Sequence, residues 1–306
     1  MPFTKDGYPA EKLIPLKGDP AQANVIRELG IDVVTCANNH GMDFGFEGLR
    51  MTSQALDTVG VAHVGSGENV FEAFAPVVKT LNGVKVAYIG VTTTLPNGAG
   101  AGRSRPGLAG VRFFSKFVVD TVTIDESPGM APQMLYWWRS TGGVPYGWVQ
   151  NSQDEIATYQ RPLAYAMIDA GASAIFGHHP HVVQGVGFYK GSPIFYSLGN
   201  FIFSNSIVTP SDGWRKYPPY SWSSLQQTLS DIGALAKVSW AGGKLASCSV
   251  VPVTLAEDGE PLEATSEDAE VLLSRLGTLS KACGMEFGPR KQARGYEILI
   301  SENLEC

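Results

Sequence analysis

Gly177-His178-His179-Pro180-His181 places three of the chain's five histidines within four positions, and the residues on either side of it decide the fold. Ala172-Ser173-Ala174-Ile175-Phe176 leads in and Val182-Val183-Gln184-Gly185 follows. A short apolar run that stops at glycine and polar residues predicts a buried strand ending there. In open α/β sheets ligands sit beyond the carboxyl ends of the strands. A neutral imidazole offers a nitrogen lone pair at physiological pH, so three on one loop predict half of a divalent-metal site. The competing reading, a hydrogen-bonded loop without metal, suits a lone histidine better than a cluster.

A second cluster stands far upstream. Ile31-Asp32-Val33-Val34-Thr35-Cys36 predicts another buried strand, which runs into Ala37-Asn38-Asn39-His40, then Gly41, Asp43 and Gly45. An amide oxygen beside an imidazole suits a hydrolytic metal centre that takes mixed oxygen and nitrogen ligands. The two clusters are expected to face one another.

The rest of the chain alternates helix and strand signals. Asp19 reads as a helix cap with Pro20 at the first helical position and Gly30 closing a helix over residues 21–29. Apolar spacing predicts a helix over 46–59, ended by Gly60. Residues 77–81 and 84–91 form β-rich runs joined by Asn82-Gly83, the strongest hairpin signal in the chain. A helix is expected over 154–170, kinked at Pro162. Hairpins are expected about Lys190-Gly191-Ser192 and about Gly242-Gly243. A terminal helix over 265–283 follows, and the charged tail beyond Pro289 carries no readable element. Residues 113–124 fit helix or strand, and the ring-rich segment 204–224 reads as a loop. Strands alternating with helices predict an α/β domain over residues 1–260, with 261–306 as terminal helix and tail.

Composition narrows the classes. Apolar residues make up 44% and charged residues 17% of the 306, as in ordinary globular proteins. The net charge of −6 argues against nucleic acid as a partner, since nucleic acid selects a basic face. Cys36, Cys248, Cys283 and Cys306 share no metal-ligand spacing, and Cys36 reads as a small core residue. No signal-peptide pattern opens the sequence and no run reaches the ~18 apolar residues of a membrane span, so a cytoplasmic protein is expected.

At the two clusters the chain resembles the CapA-type capsule or poly-γ-glutamate biosynthesis proteins. The residues that carry the likeness are Ala37 to Gly45, Gly60-Val61-Ala62-His63-Val64-Gly65-Ser66-Gly67, Gly177 to Gly185, and Ile194-Phe195-Tyr196-Ser197-Leu198-Gly199-Asn200-Phe201. The domain of that family is similar to the calcineurin-like metallophosphoesterases. The resemblance implies a sandwich of two β-sheets flanked by helices, with metal held in strand-end loops and an anionic polymer or small molecule as substrate.

The likeness has gaps. A typical relative opens with a strand ending in Gly-Asp and then an Asn-Leu-Glu, and this sequence begins at about the point where those motifs would end. The family's first strand is therefore expected to be missing, and the domain is expected to be truncated at its N-terminal side. Thr141 stands about where a metal-ligating His belongs, and a neutral hydroxyl is a poor ligand beside imidazole. What remains is Asn39, His40, His179 and His181 as metal ligands, with His40 and His178 as the proton-handling residues and Asp43 behind them. Two ions ~3.5 to 4 Å apart need bridging carboxylates, so a single zinc or manganese ion is expected. Asn200 is expected to fix the loop behind the histidines. His63, Arg103 and Arg105 have ordinary packed or solvated roles. The implied function is a metal-dependent hydrolase or transferase whose site these gaps would impair; the alternatives are a non-catalytic polymer- or partner-binding member of the fold and a truncated gene product.

Overall fold

A computed structural model describes residues 1–12, 15–113, 156–157, 159–203, 230–280, 285–291 and 295–302. The chain divides into two compact units, whose described parts are residues 1–113 and 156–302. Both mix helices with small sheets, which is the α/β class that the sequence predicts.

The first unit starts with the helix signals as expected. Asp19 caps a 3-10 turn, Pro20–Gln22, by accepting from the Ala21 N–H at 2.8 Å, and α1 (Ala23–Glu28) continues it. Strand β1 (Val33–Thr35) leads through α2 (Gly45–Thr58) to β2 (Ala62–Val64), which lies parallel to β1. On α2 the residues turned inward are Gly48, Leu49, Thr52 and Leu56, one stripe of a 3.6-residue period. Leu56 packs with Phe3, Ala23, Cys36 and Val61, and Leu49 packs with Met42, Ala99 and Leu108. Cys36 is thus the core residue expected of it, and burial pushes its thiol pKa up.

Beyond β2 come β3 (Ser66–Gly67), α3 (Val70–Ala73), the antiparallel β4 (Val77–Leu81) and β5 (Val84–Tyr88), and β6 (Gly107–Leu108), which pairs with β3. Asn82 and Gly83 both take positive φ, 49° and 81°, as a two-residue turn matched to strand twist requires.

In the second unit α4 (Gln160–Asp169) precedes β7 (Ile175–Phe176), and β8 (Val186–Tyr189) and β9 (Ser192–Phe195) form the hairpin about Lys190-Gly191. Because α4 begins at Gln160, Pro162 stands in its first turn and makes no kink. A first-turn residue has no intrahelical N–H bond to lose.

Strand β9 lies between β8 and β7. The long hairpin β10 (Ile232–Ala241) and β11 (Lys244–Leu255) turns at Gly242-Gly243, as predicted. Strand β12 (Pro261–Glu263) pairs with β11, and α5 (Ser266–Ser280) follows. Thr265 and Asp268 cap α5 reciprocally: each backbone N–H donates to the other's side-chain oxygen, at 3.3 and 3.1 Å, which is a capping box. Leu272 and Leu276 of α5, 1% and 0% exposed, pack with Phe195, Val250 and Ile298. Full burial of such a side chain contributes about 1.5 to 3 kcal/mol.

The structure corrects two expectations. The tail beyond Pro289 is not featureless: β13 (Met285–Lys291) and β14 (Tyr296–Glu302) pair antiparallel, and β14 joins β11 in the same sheet. Pro289 hid the strand, yet among the described residues β13 lies at the edge of its sheet, where a missing N–H is tolerated. The strands ahead of the two clusters are also less buried than predicted. Val33 and Val34 are half-buried, and Phe176 is 51% exposed with its ring stacked on Phe195. Among the described residues β1 and β7 are each paired along one edge only, so they lack the neighbours that would cover an inner strand. Residues 114–124, the segment 204–224 and Thr141 lie outside the described residues.

Candidate functional site

The Asn39-His40 loop takes its shape from a run of small local bonds. After β1, Cys36 and Ala37 are buried, and the Asn38 side-chain oxygen accepts from the His40 N–H at 2.9 Å. Consecutive turns, Gly41 N–H to Asn38 O and Asp43 N–H to His40 O, wind the loop into α2. Gly41 has no room for a side chain, since a Cβ there would fall 2.9 Å from Leu108 Cδ2 and meet the Cys36 carbonyl.

The winding puts His40 and Asp43 three residues apart on one side of the loop. His40 Nδ1 lies 2.7 Å from Asp43 Oδ2, and the Asp43 carboxylate is 0% exposed. Two further donors close on the carboxylate, Lys12 Nζ to Oδ1 at 2.7 Å and the Leu16 N–H to Oδ2 at 2.7 Å, and the Ala10 N–H donates to the Asp43 backbone carbonyl at 2.7 Å. Lys12 also donates to the Asn39 carbonyl at 2.9 Å and stands 3.1 Å from His40 Nδ1.

Burial alone would push the Asp43 carboxyl up, but the hydrogen bonds from His40 and Lys12 outweigh it and hold the pKa below the ordinary value. An ionised Asp43 can only accept, so His40 Nδ1 must carry the proton and donate it. The Lys12 contact with Nδ1 is then one of proximity, and the lone pair of His40 is at Nε2. Burial lowers the pKa of His40, the bond to Asp43 offsets part of that, and the positive charge of Lys12 adds to the lowering, so His40 is more readily neutral than an ordinary histidine.

The histidine loop of the second unit is held differently. His179 and His181 both take left-handed backbone angles, φ 105° and 60°, on either side of Pro180. Such angles are costly for residues other than glycine, and they persist where the surroundings fix them. Val182 and Val183 behind the loop are buried, and Val183 bridges to Leu198. His181 Nδ1 lies 2.7 Å from Asn200 Oδ1, and its ring tilts against Phe203 with centroids 4.7 Å apart. The His179 and His181 rings are 6.4 Å apart by centroid.

His178 and His179 are exposed, and His181 is half-buried. Burial lowers the pKa of His181, partly offset by its bond to Asn200. His178 is likewise lowered, first by the protein around it and then by the charge of His181.

Each loop therefore offers neutral imidazole nitrogen, the donor type that zinc or manganese takes from histidine. Among the described residues, no three His, Cys, Asp or Glu side chains come together closely enough to hold an ion. The donor type on each loop fits a divalent metal, while the described residues assemble no full ligand shell.

Of the smaller signals, His63 sits 3.4 Å from Asp57 with its side chain 20% exposed. Arg105 donates to the Gly100 carbonyl in its own loop, and Arg103 is exposed. Sequence reading missed Lys12. It lies in a segment without periodicity, and Asn39, His40 and Asp43, which it meets, are 27 to 31 residues away, so no sequence spacing marks it.

Comparisons with known proteins agree with this arrangement of motifs. The model of a family described as "Bacterial capsule synthesis protein PGA_cap" matches residues 1–121 and 144–205, which include both loops. Capsule biosynthesis protein CapA of Bacillus anthracis is 31% identical over 262 residues, covering 86% of this chain and 57% of its own length. PGA biosynthesis protein CapA of Bacillus subtilis (strain 168) is 32% identical over 213 residues, 69% of this chain and 52% of its own length. A probable polyglutamine synthesis accessory protein of Mycobacterium tuberculosis is 25% identical over 312 residues, with 99% of this chain and 76% of its own length covered. The chain thus spans somewhat over half the length of the two Bacillus relatives. The family match covers more than half of its residues and both histidine loops, and the chain belongs to the bacterial capsule synthesis protein family PGA_cap.

Proposed function

We propose that the chain serves the synthesis of an anionic, glutamate-type capsule polymer as a metal-dependent hydrolase or transferase acting on that polymer or on a phosphoester. The polymer comes from the names of the relatives, which are capsule, PGA and polyglutamine synthesis proteins. The chemistry comes from one observation, the fully buried Asp43 carboxylate 2.7 Å from His40 Nδ1. A carboxylate held on one imidazole nitrogen orients the ring and makes the other nitrogen a stronger ligand or base.

The residues proposed to hold a single zinc or manganese ion are Asn39, His40, His179 and His181. When bound, such an ion polarises a phosphoryl or carbonyl oxygen and lowers the pKa of a water molecule. The protein's own part is proton handling and orientation. With its proton on Nδ1 and Lys12 disfavouring a second positive charge, His40 is a ligand or a proton acceptor rather than a resting acid. His178 is exposed and neutral at physiological pH, so it is the histidine proposed to exchange protons with substrate and solvent. The net charge of −6 disfavours nucleic acid and requires that an anionic chain be held locally. Among the described residues no helix is long and apolar enough to cross a membrane.

Elemental analysis of the purified protein tests the reading. The expected content is up to one zinc or manganese per chain, lost when His179 and His181 are both changed to Ala. Two firmly held ions per chain would overturn the single-ion assignment. No ion at all, combined with co-sedimentation on poly-γ-glutamate, would favour the non-catalytic binding member of the fold.

A further inference from the structure

Asn200 closes a ring of hydrogen bonds around His181. His181 Nδ1 and Asn200 Oδ1 are 2.7 Å apart, Asn200 Nδ2 donates to the Ser230 carbonyl at 3.3 Å, and the Ser230 N–H donates to the His181 carbonyl at 3.3 Å. The carboxamide cannot be turned over without setting its oxygen against the Ser230 carbonyl, so the atom facing Nδ1 is an acceptor. Asn200 is 6% exposed, which leaves water little access to compete for that bond. Its backbone is fixed as well: Gly199 takes φ 71°, Ala234 N–H donates to the Leu198 carbonyl at 2.9 Å, and Ser230 is tied to Ile232 by two hydrogen bonds. The free imidazole ring has no such constraint and can place its proton on either nitrogen.

We propose that Asn200 is a positioning residue that takes the Nδ1 proton of His181 and so fixes the Nε2 lone pair as the one presented by the loop. This deepens the reading of His181 as a metal ligand and rests on it only for the metal half of the test below. The contrast with the other loop is chemical. His40 is held by a carboxylate, which strengthens Nε2 as a base, whereas His181 is held by a neutral amide, which sets its tautomer and ring plane without adding charge. Phe203 against the ring restricts rotation, and the left-handed φ of 60° at His181 is maintained by its carbonyl's bond to Ser230.

The test is the tautomer of His181, read by long-range proton–nitrogen NMR on metal-free, histidine-labelled protein at pH 8. The His181 signals are assigned by their loss in His181→Gln. The expected result is a proton on Nδ1 in the wild type and in Asn200→Asp, which keeps an acceptor oxygen, and a shift to the Nε2–H form in Asn200→Ala. Zinc affinity should fall about 10- to 100-fold in Asn200→Ala and be largely retained in Asn200→Asp. A wild-type His181 carrying its proton on Nε2 overturns the proposal, and this measurement stands even if Asn200→Ala fails to fold. An unchanged Nδ1–H form in folded Asn200→Ala overturns it too. If the tautomers behave as expected but the wild type takes up no zinc, the metal reading fails and the positioning role of Asn200 stands.

Discussion

Lys12→Met is expected to lower the stability of the protein by about 3 to 5 kcal/mol, because it leaves a carboxylate without its cation where water does not reach. Asp43 is 0% exposed, and Lys12 Nζ is the cation hydrogen-bonded to it, at 2.7 Å. The remaining donors are one backbone N–H and a neutral imidazole, which replace a hydration shell poorly. Lys12 itself has a side chain 20% exposed, so removing the other partner is milder: in Asp43→Leu the ammonium can still reach solvent. A double-mutant cycle in urea reads the pair directly, and Lys12→Met combined with Asp43→Leu should recover most of the loss, since no charge is then stranded. A deficit below about 1 kcal/mol for Lys12→Met would place the pair among ordinary surface bridges.

The same pair fixes the pH dependence. The folded Asp43 carboxyl titrates below its ordinary value of 3.8, so the unfolded chain binds the proton more readily and stability rises with pH across that window. The contribution is fully present above 3.8 and is lost as pH falls through the folded value. His40 has the same sign: its folded pKa lies below 6.5, the unfolded chain takes that proton first, and stability declines as pH drops below 6.5. In Lys12→Met the Asp43 carboxyl loses the cation that held its pKa down. Its deficit against the wild type should therefore narrow on acidification below about pH 4, because protonation removes the stranded charge. Urea midpoints measured from pH 7 to pH 3 check this, and a gap that stays constant would show that Asp43 is not the group left unpaired.

What could be read from the sequence was whatever depends on neighbours along the chain. Asn82-Gly83, Lys190-Gly191 and Gly242-Gly243 announce their turns because positive φ selects their Asn and Gly residues, and the stripe on α2 declares its inward face. The histidine loops could also be read, since ligand-type residues after a strand are a local pattern. The partners that orient those histidines were legible only in part. Asp43 stands three residues from His40, and Asn200 lies in a motif of its own, so both could be suspected. Lys12 and Ser230 meet the loops through the fold, 27 or more residues away, and no spacing signals them. The burial of β1 and β7 was overestimated for a related reason, since apolar content shows what a strand could bury but not which edges find neighbours. Strand β13 was missed because charge and a proline mask its alternation, and β14, which lies between β11 and β13, was passed over with it.

Gly233 is a position whose demand is visible only in three dimensions, and its substitution should have the second large effect. It sits near the start of β10, where nothing in the sequence distinguishes it from an ordinary strand residue. In the structure a Cβ on Gly233 would fall on the Asn200 carbonyl oxygen, within 3.0 Å of the Asn200 carbonyl carbon and 3.4 Å of its nitrogen. All three are backbone atoms, so no side-chain rotation can relieve the overlap. Either β10 moves, against its long pairing with β11, or residues 199–200 move and carry the Asn200 carboxamide away from His181. Overpacking of this kind costs about 1 to 3 kcal/mol where side chains can adjust, and a clash with main chain should reach or exceed the top of that range. Gly233→Ala is accordingly expected to lower the urea midpoint more than Gly277→Ala, whose added Cβ on α5 meets nothing within 4 Å and should stabilise slightly by helix propensity. It should also weaken zinc binding as Asn200→Ala does, although it changes no side chain in the loop. Equal midpoints for the two alanine variants would mean that the Asn200 segment yields freely, and that it does not hold His181 rigidly.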